Sequence, residues 1–543
     1  MTTRASIRPY LNQAYLLGLL MVVVGLTLSP FMMGMSQFWL VLVWIMDGIV
    51  ARDFKQKLSR FWHNKAAVLL AAFYLMHVVG LLWTSDFQYA IRDLRVKLPI
   101  LVMPFVLSSM EPLDRKRFDF VLLVYVLSVF IATQFSFVSY LRHDYEDVRE
   151  ISHFISHIRF CLNIVFSMAV IGYYLYKRRI SKGKGVPSFG IKVVLDQFLM
   201  WFLLLWFAYQ IYIFESLSGY VILAAVVLAT LLYAFLQWRK GRGWRIALGV
   251  SALAVIVAIV AVAWVVVKPM VEVKPVDFNT LEKTTAHGNL YWHDTIHNPV
   301  EDGKYVGLYY NRNELREAWS QRSELPLEGV TANGEILEAT LARYLTSKDL
   351  RKDADGVMAL TDEDVKNIEQ GVANYNNWKH PGLRARLSST LFEYNLYRRF
   401  NNPNGGSLSQ RLEYTRASFH IIGRHPWFGV GTGDVPQTFA ESYDEIHSPL
   451  KDEFRFRAHN QYLAIAAAFG LVGLAFFLFV LFYPWFASKR NHTYLYMVFL
   501  CVMLLSMFPE DTLETQAGVT LFAFFEAFLL FAKPHPEPSS HDL

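Results

Sequence analysis

Two cysteines, Cys161 and Cys501, are all that the 543 residues contain. Both lie within apolar runs, and the hydrophilic stretch of 268–458 has none, so that stretch must fold without disulfides. Charge is also scarce: Asp, Glu, Lys and Arg make up 18% of the chain against 54% hydrophobic residues. That balance excludes an ordinary water-soluble globule. Two catalytic signatures are missing as well. No Gly-x-Ser-x-Gly elbow occurs, which argues against an esterase. The run Gly429-Val430-Gly431-Thr432-Gly433 lacks the Lys-Ser/Thr of a phosphate-binding loop, so a nucleotide loop is rejected. No nucleic-acid module is present. The formal charge of +6 sits largely in loops between apolar blocks, where it suits anionic lipid headgroups.

What the chain does have is apolar blocks of about 20 residues, the length a helix needs to cross roughly 30 Å of hydrocarbon. They define an all-α polytopic membrane protein with about twelve transmembrane helices, near 11–30, 35–50, 66–84, 98–110, 118–140, 158–176, 196–213, 218–236, 246–267, 460–487, 493–508 and 517–532. Lys and Arg concentrate in alternate loops: Arg52/Lys55/Lys57/Arg60/Lys65, Arg115/Lys116/Arg117, Lys177 to Lys184, Arg239 to Arg245, and Lys489/Arg490. The positive-inside rule makes that set cytoplasmic. The opposite set includes acidic 141–157, with Asp144, Glu146, Asp147 and Glu150, and 509–516, with Glu510, Asp511 and Glu514. The chain then divides into spans one to nine over 1–267, a large exported segment over 268–458, spans ten to twelve over 459–532, and a cytoplasmic tail over 533–543.

At about 190 residues the exported segment is long enough to be a domain. It reads as mainly helical: Asn313 to Trp319, Ile336 to Leu345, a start at Thr361-Asp362-Glu363-Asp364, Leu383 to Phe400, and Ser409 to Ile422. Residues 270–310 show no clear period and are read as irregular or short strands. After it, the apolar run from Gln461 to Ala487 is about 27 residues, or roughly 40 Å of helix, more than a bilayer core requires. Gly470 and Gly473 therefore predict a break or close packing, with a short outer helix capped by Asn460.

That leaves His459 where water meets hydrocarbon. With an ordinary pKa near about 6.5, a histidine is the side chain most readily poised to accept a proton near neutral pH. A histidine that merely hydrogen-bonds at the membrane surface is the competing reading. Shortly before it come Arg411, Arg416, Arg424, Arg455 and Arg457, whose planar guanidinium forks suit diphosphate oxygens, or a solvated face. On one helix Arg416 lies about 140° round from Arg411, so helix geometry alone does not unite them. Arg92, Arg95 and Lys97 form a basic cluster against the positive-inside trend, fit to hold lipid phosphate or to snorkel. His153 and His157 have a helical spacing but no third metal ligand, so no metal is assigned.

Ser409-Gln410-Arg411-Leu412-Glu413-Tyr414, then His425-Pro426-Trp427-Phe428-Gly429-Val430-Gly431-Thr432-Gly433, then His459-Asn460 followed by Gly470 and Gly473 resembles the bacterial O-antigen ligase and O-antigen polymerase family. The motif-level likeness covers about 405–475, and the topology of about twelve spans with a catalytic segment between the ninth and tenth is similar too. The resemblance implies a metal-independent, inverting glycosyltransferase with no cofactor. Its donor would be a glycan on undecaprenyl diphosphate, and its acceptor a sugar hydroxyl of lipid A-core or another glycan. It would sit as a multi-pass protein in the bacterial inner membrane among membrane lipids, with the active site facing the periplasm. His459 would be the general base and Arg411 would stabilise the diphosphate, with Asn460 and Arg416 beside them. Many ligases carry an arginine at the outer start of span eight, where this chain has Ser218-Gly219-Tyr220. Arg159, or Arg92, Arg95 and Lys97, would then supply the second cation. The exported segment is longer than the family's usual one, which makes 270–400 an added acceptor-recognition region. A polymerase or a protein O-oligosaccharyltransferase shares these motifs, and a transporter or flippase is the alternative outside enzymes.

Overall fold

The computed structural model describes residues 2–142, 151–180, 193–237, 242–273, 275–488 and 491–533. Outside them lie the acidic residues Asp144, Glu146, Asp147 and Glu150, the basic residues Lys182, Lys184, Arg239, Lys240, Lys489 and Arg490, and the tail from 534 onward. A helix stands at each of the predicted apolar blocks. Seven described helical stretches are long and apolar enough to cross a membrane: Ile7–Leu28, Pro30–Ala51, Lys65–Trp83, Arg115–Arg142, His157–Arg179, Leu217–Phe235 and Gln461–Ala487. Tyr494–Ser506 and Gln516–Phe531 are apolar but shorter. Pro99–Ser109, with 11 residues, reaches only about 16 Å as a helix.

The chain forms two compact units. The first holds residues 1–252, 414–447 and 455–543, and the second holds 253–413 and 448–454. In the first unit two buried cations are matched by carboxylates. Lys57 Nζ lies 2.7 Å from Asp47, and Arg178 lies 3.0 Å from Asp196. Such pairing is what a low-dielectric interior demands of any ionised group it retains.

The long helix Gln461–Ala487 breaks where its glycine predicts: Gly470 has φ 67° and ψ −170°. Interrupting a helix frees backbone groups that lipid cannot satisfy. Here a neighbouring loop satisfies them. Val430 and Gly431 donate their N–H groups to the carbonyls of Ala467 (3.0 Å) and Ala468 (2.9 Å). In return Leu471 and Val472 donate to the carbonyls of Pro426 (2.7 Å) and Trp427 (3.3 Å). Close approach explains the glycines, since a Cβ on Gly429 would lie 2.3 Å from the Ala468 carbonyl carbon, and one on Gly470 would lie 2.2 Å from that of Trp427. The loop is also fixed on its other side. Thr432 Oγ1 donates to the His77 carbonyl at 2.6 Å, and the Asp434 carboxylate accepts from the backbone of Ser85 and Asp86 at 2.8–2.9 Å.

Gly470→Ala combines a positive φ with a steric clash against backbone, so we expect a loss of roughly 3 kcal/mol or more. Thermal unfolding of the purified protein would check it, and an unchanged midpoint would contradict the role given to the break.

The second unit has its own apolar core. Leu315, Trp319, Leu337, Leu341, Tyr344, Val357 and Ile368 are buried together, contributed by the helices Arg312–Ser320, Leu337–Ser347 and Asp362–Glu369 and the segments between them. The helix start at Thr361 is a reciprocal capping box with Asp364, which satisfies two otherwise orphaned donors. Among the described residues of 272–310 there is one two-residue hairpin, Val300–Glu301 with Lys304–Tyr305, one 3-10 turn and isolated bridges such as Trp292 with Tyr310, in keeping with the lack of period. Leu383–Phe400 is helical, ending at Asn401 in the left-handed conformation, and Ser407–Arg424 follows.

Candidate active site

His459 precedes the N-terminus of the broken helix in a left-handed backbone conformation, φ 44°. That region is sparsely used by non-glycine residues and costs about 1–3 kcal/mol. Asn460 then takes the N-cap: its side chain accepts from Leu463 N at 3.0 Å and donates to the Phe508 carbonyl at 2.9 Å. These two residues set the imidazole's direction. The ring stacks on Tyr414, with centroids 5.3 Å apart and planes at 28°, and meets the edge of Phe456 at 6.1 Å. A third of the side chain is exposed (33%), yet its Nδ1 is buried with no hydrogen-bond partner. That nitrogen faces Glu510 Oε2 at 3.9 Å.

Glu510, Asp511 and Glu514 come from the turn between Tyr494–Ser506 and Gln516–Phe531. All three are largely buried, and each meets a cation. Arg159 lies 3.9 Å from the same Glu510 oxygen that faces His459. Arg457 lies 3.5 Å from Asp511 and 3.0 Å from Glu514, and donates to Tyr89 Oη at 2.7 Å. Lys97 Nζ sits 2.6 Å from Asp93 and 2.9 Å from Glu514. Gln461, fully buried, donates to Glu514 at 3.3 Å and accepts from Leu513 N at 2.6 Å.

Burial pushes the Glu514 carboxyl up, but Lys97 and then Arg457 outweigh it and hold it well below its ordinary value. Burial also pushes up Asp93, to about 6, and Lys97 only partly offsets this while the Glu514 charge adds to it. Asp511 is likewise raised, chiefly by burial against the opposing pull of Arg457. Burial works against the Lys97 charge, yet Asp93 and Glu514 reverse that and hold its pKa above the usual lysine value.

One ligand atom each from His459, Glu510 and Asp511 lies within 4.8 Å of the others, a spacing that could take a metal ion. The arginines already stand against those carboxylates, at 3.9 and 3.5 Å. The local charge is therefore answered by guanidinium groups.

The other sequence candidates distribute as follows. Arg92 and Arg95 are exposed on the helix Phe87–Lys97, whereas Lys97, grouped with them by sequence, is buried among carboxylates. It is a structural cation. Arg416 is exposed on Ser407–Arg424, donating to the Ile446 carbonyl at 3.3 Å. Arg411, on the same helix three residues before Tyr414, belongs to the second unit. Arg424 pairs with Glu445, and Arg455 pairs with Asp444 at 2.8 Å. Residues that motif reading did not raise as site candidates are Tyr414 as a platform and Glu510 as the carboxylate behind the imidazole. In the sequence the acidic turn is marked only by its sign.

These features define a polytopic helical membrane protein whose polar centre is built on a helix start and two adjoining turns. Residues 382–478 match the model of the family described as O-antigen ligase, and over that stretch the chain is similar to it. No curated protein matches the chain.

Proposed function

We propose that this protein is an inner-membrane glycan ligase, with His459 on the periplasmic side, that transfers a glycan from undecaprenyl diphosphate to a sugar hydroxyl of lipid A-core. The observation that carries the reading is His459 itself: a histidine in a strained conformation, half covered by Tyr414, with Nδ1 turned to a buried carboxylate inside the family-matched stretch.

In this reading the exposed part of the ring presents Nε2 to the acceptor. The acceptor hydroxyl gives its proton to Nε2 as its oxygen forms a bond to the anomeric carbon, and the bond from that carbon to the diphosphate oxygen breaks. One in-line displacement inverts the anomeric centre. Negative charge grows on the departing diphosphate, and Arg411 is assigned to meet it, with Arg416, Arg159, Arg92 and Arg95 as further phosphate contacts. Asn460 holds the helix start that aims His459. The positive end of that helix adds a favourable field for an anion. Guanidinium groups supply the charge that a metal would otherwise supply, so the transfer is expected to run in a chelator.

The test is transfer in liposomes containing the purified protein, lipid-linked glycan and lipid A-core, with chelator present. Glycan on lipid A-core supports the reading; growth of the lipid-linked glycan alone makes the protein a polymerase instead.

Glu510 gives a finer prediction. A unit charge at about 4 Å acts on the imidazolium with about 4 kcal/mol at an effective dielectric near 20, and Arg159 on the same oxygen offsets part of that. Glu510→Gln keeps the shape and is expected to lower kcat about ten- to a hundredfold with KM little changed. Full activity in that variant would remove Glu510 from the mechanism.

A further inference from the structure

The second unit carries an open cavity of about 560 Å³, bordered by Trp292, Tyr310, Arg312, Ile336, Glu338 and Ala342 among others. It lies outside the family-matched residues 382–478. Trp292 is 60% exposed and Ile336 61%. Folding buries large apolar groups where it can, and two of them held open in one concavity mark a binding surface. Trp292 does not wander: it exchanges two backbone hydrogen bonds with Tyr310, at 2.8 and 3.0 Å, and the Tyr310 ring stands perpendicular to it at 6.2 Å.

The polar side of the cavity is equally fixed. Arg312 grips Glu338 through Nε and Nη2, both at 2.9 Å, and Tyr310 Oη donates to Glu338 Oε1 at 2.6 Å. Beyond the lining, Glu328 lies 3.8 Å from Arg312 and pairs with Arg316. The one arginine of the lining is answered by its one glutamate, so the cavity has planar donors and acceptors but no net charge.

We propose that this cavity binds an uncharged pyranose ring of a glycan chain, an inference that rests on the glycan-transfer reading above. A pyranose has an apolar C–H face that lies flat on an aromatic ring, and hydroxyl edges that reach a guanidinium and a carboxylate together. A phosphorylated or acidic sugar would bring a charge that the balanced pairs do not answer. An acyl chain would cover the Arg312–Glu338 pair and strip its water without returning hydrogen bonds. The volume falls inside the roughly 300–1,000 Å³ of small-ligand sites. The donor glycan and the lipid A-core oligosaccharide both offer such a ring.

The test uses the full chain in lipid nanodiscs and saturation-transfer NMR. One arm contains the released, uncharged donor glycan and the other contains deacylated core oligosaccharide. Transfer to ring C–H protons in either arm is expected, and the arm that responds identifies the source. Trp292→Ala should bind about tenfold more weakly, Trp292→Phe should bind nearly normally, and Arg312→Ala should also weaken binding. His459→Asn, which accepts the left-handed backbone at 459, should leave this signal intact even though it stops transfer, which separates the cavity from the reaction centre. No signal in either arm, a signal unchanged by Trp292→Ala and Arg312→Ala, or a signal lost in His459→Asn would overturn the proposal. If transfer assays failed while Trp292-dependent glycan binding persisted, the ligase reading would fall and the binding site would stand.

Discussion

His459→Ala is expected to lower the rate of glycan transfer by roughly 10²–10⁴-fold, the usual worth of a positioned general base. The loss should appear in kcat, because a general base at 459 would act on a proton that moves only as the new glycosidic bond forms. Alanine tolerates the left-handed backbone at 459 poorly, so a folding defect must be separated from a chemical one. Asparagine accepts that conformation and cannot serve as the base. His459→Asn should therefore match the wild type in thermal unfolding while remaining as inactive as His459→Ala. Added imidazole, entering the space beside Tyr414, should restore part of the rate in the alanine variant. Near-normal transfer by both variants would remove His459 from the chemistry.

The second large effect is on stability. Glu514 is the shared anion of two cations, the buried Lys97 at 2.9 Å and the partly exposed Arg457 at 3.0 Å, and Gln461 also points to it. Glu514→Ala leaves Arg457 with the Tyr89 hydroxyl and the longer contact to Asp511, and leaves Lys97 with Asp93 as its remaining carboxylate. Removing one partner of such a buried network costs about 3–5 kcal/mol, because the remaining charges keep their desolvation penalty. The midpoint of thermal unfolding should fall by several degrees. Glu514→Gln, which keeps the hydrogen-bonding shape, should fall less. The pH dependence has a definite sign. The Glu514 carboxyl is held below its ordinary value of 4.5, so its stabilising contribution is fully present above that pH and is lost as pH falls through the lowered value. The gap between wild type and Glu514→Ala should accordingly be wide at neutral pH and narrow in acid. A constant gap would mean that the variant acts through packing.

Much of this architecture can be read along the chain, for physical reasons that differ from place to place. Apolar blocks announce helices because hydrocarbon leaves the backbone no other partner. The run Gln461 to Ala487 is too long for one straight span, and the excess, together with Gly470, locates the break. Asn460 as a cap follows from residue type and position alone. Thr361 with Asp364 is legible in the same way. By contrast, Lys97 and Glu514 are 417 positions apart, and no local pattern reveals that they meet. Lys97 therefore looked like a companion of Arg92 and Arg95. The turn containing Glu510 and Asp511 was legible as an acidic loop, but its closeness to Arg159 and His459 is a property of packing. Gly429 and Gly431 permit close approach without naming the neighbour, which is the opened backbone at Ala467 and Ala468. Trp292 sits in a stretch with no period, and only the fold brings it beside Ile336 and Arg312.

The central claim is that His459 serves the transfer of a finished glycan to lipid A-core. The most direct measurement is a surface-glycan gel of a deletion strain complemented with wild type or with His459→Ala, together with analysis of the lipid-linked pool. Wild type is expected to restore the full ladder, while His459→Ala leaves bare lipid A-core and accumulates long glycan on undecaprenyl diphosphate. A single repeat unit attached to lipid A-core in the variant would contradict it and assign polymerisation instead, and a normal ladder with His459→Ala would remove the base on which the account rests.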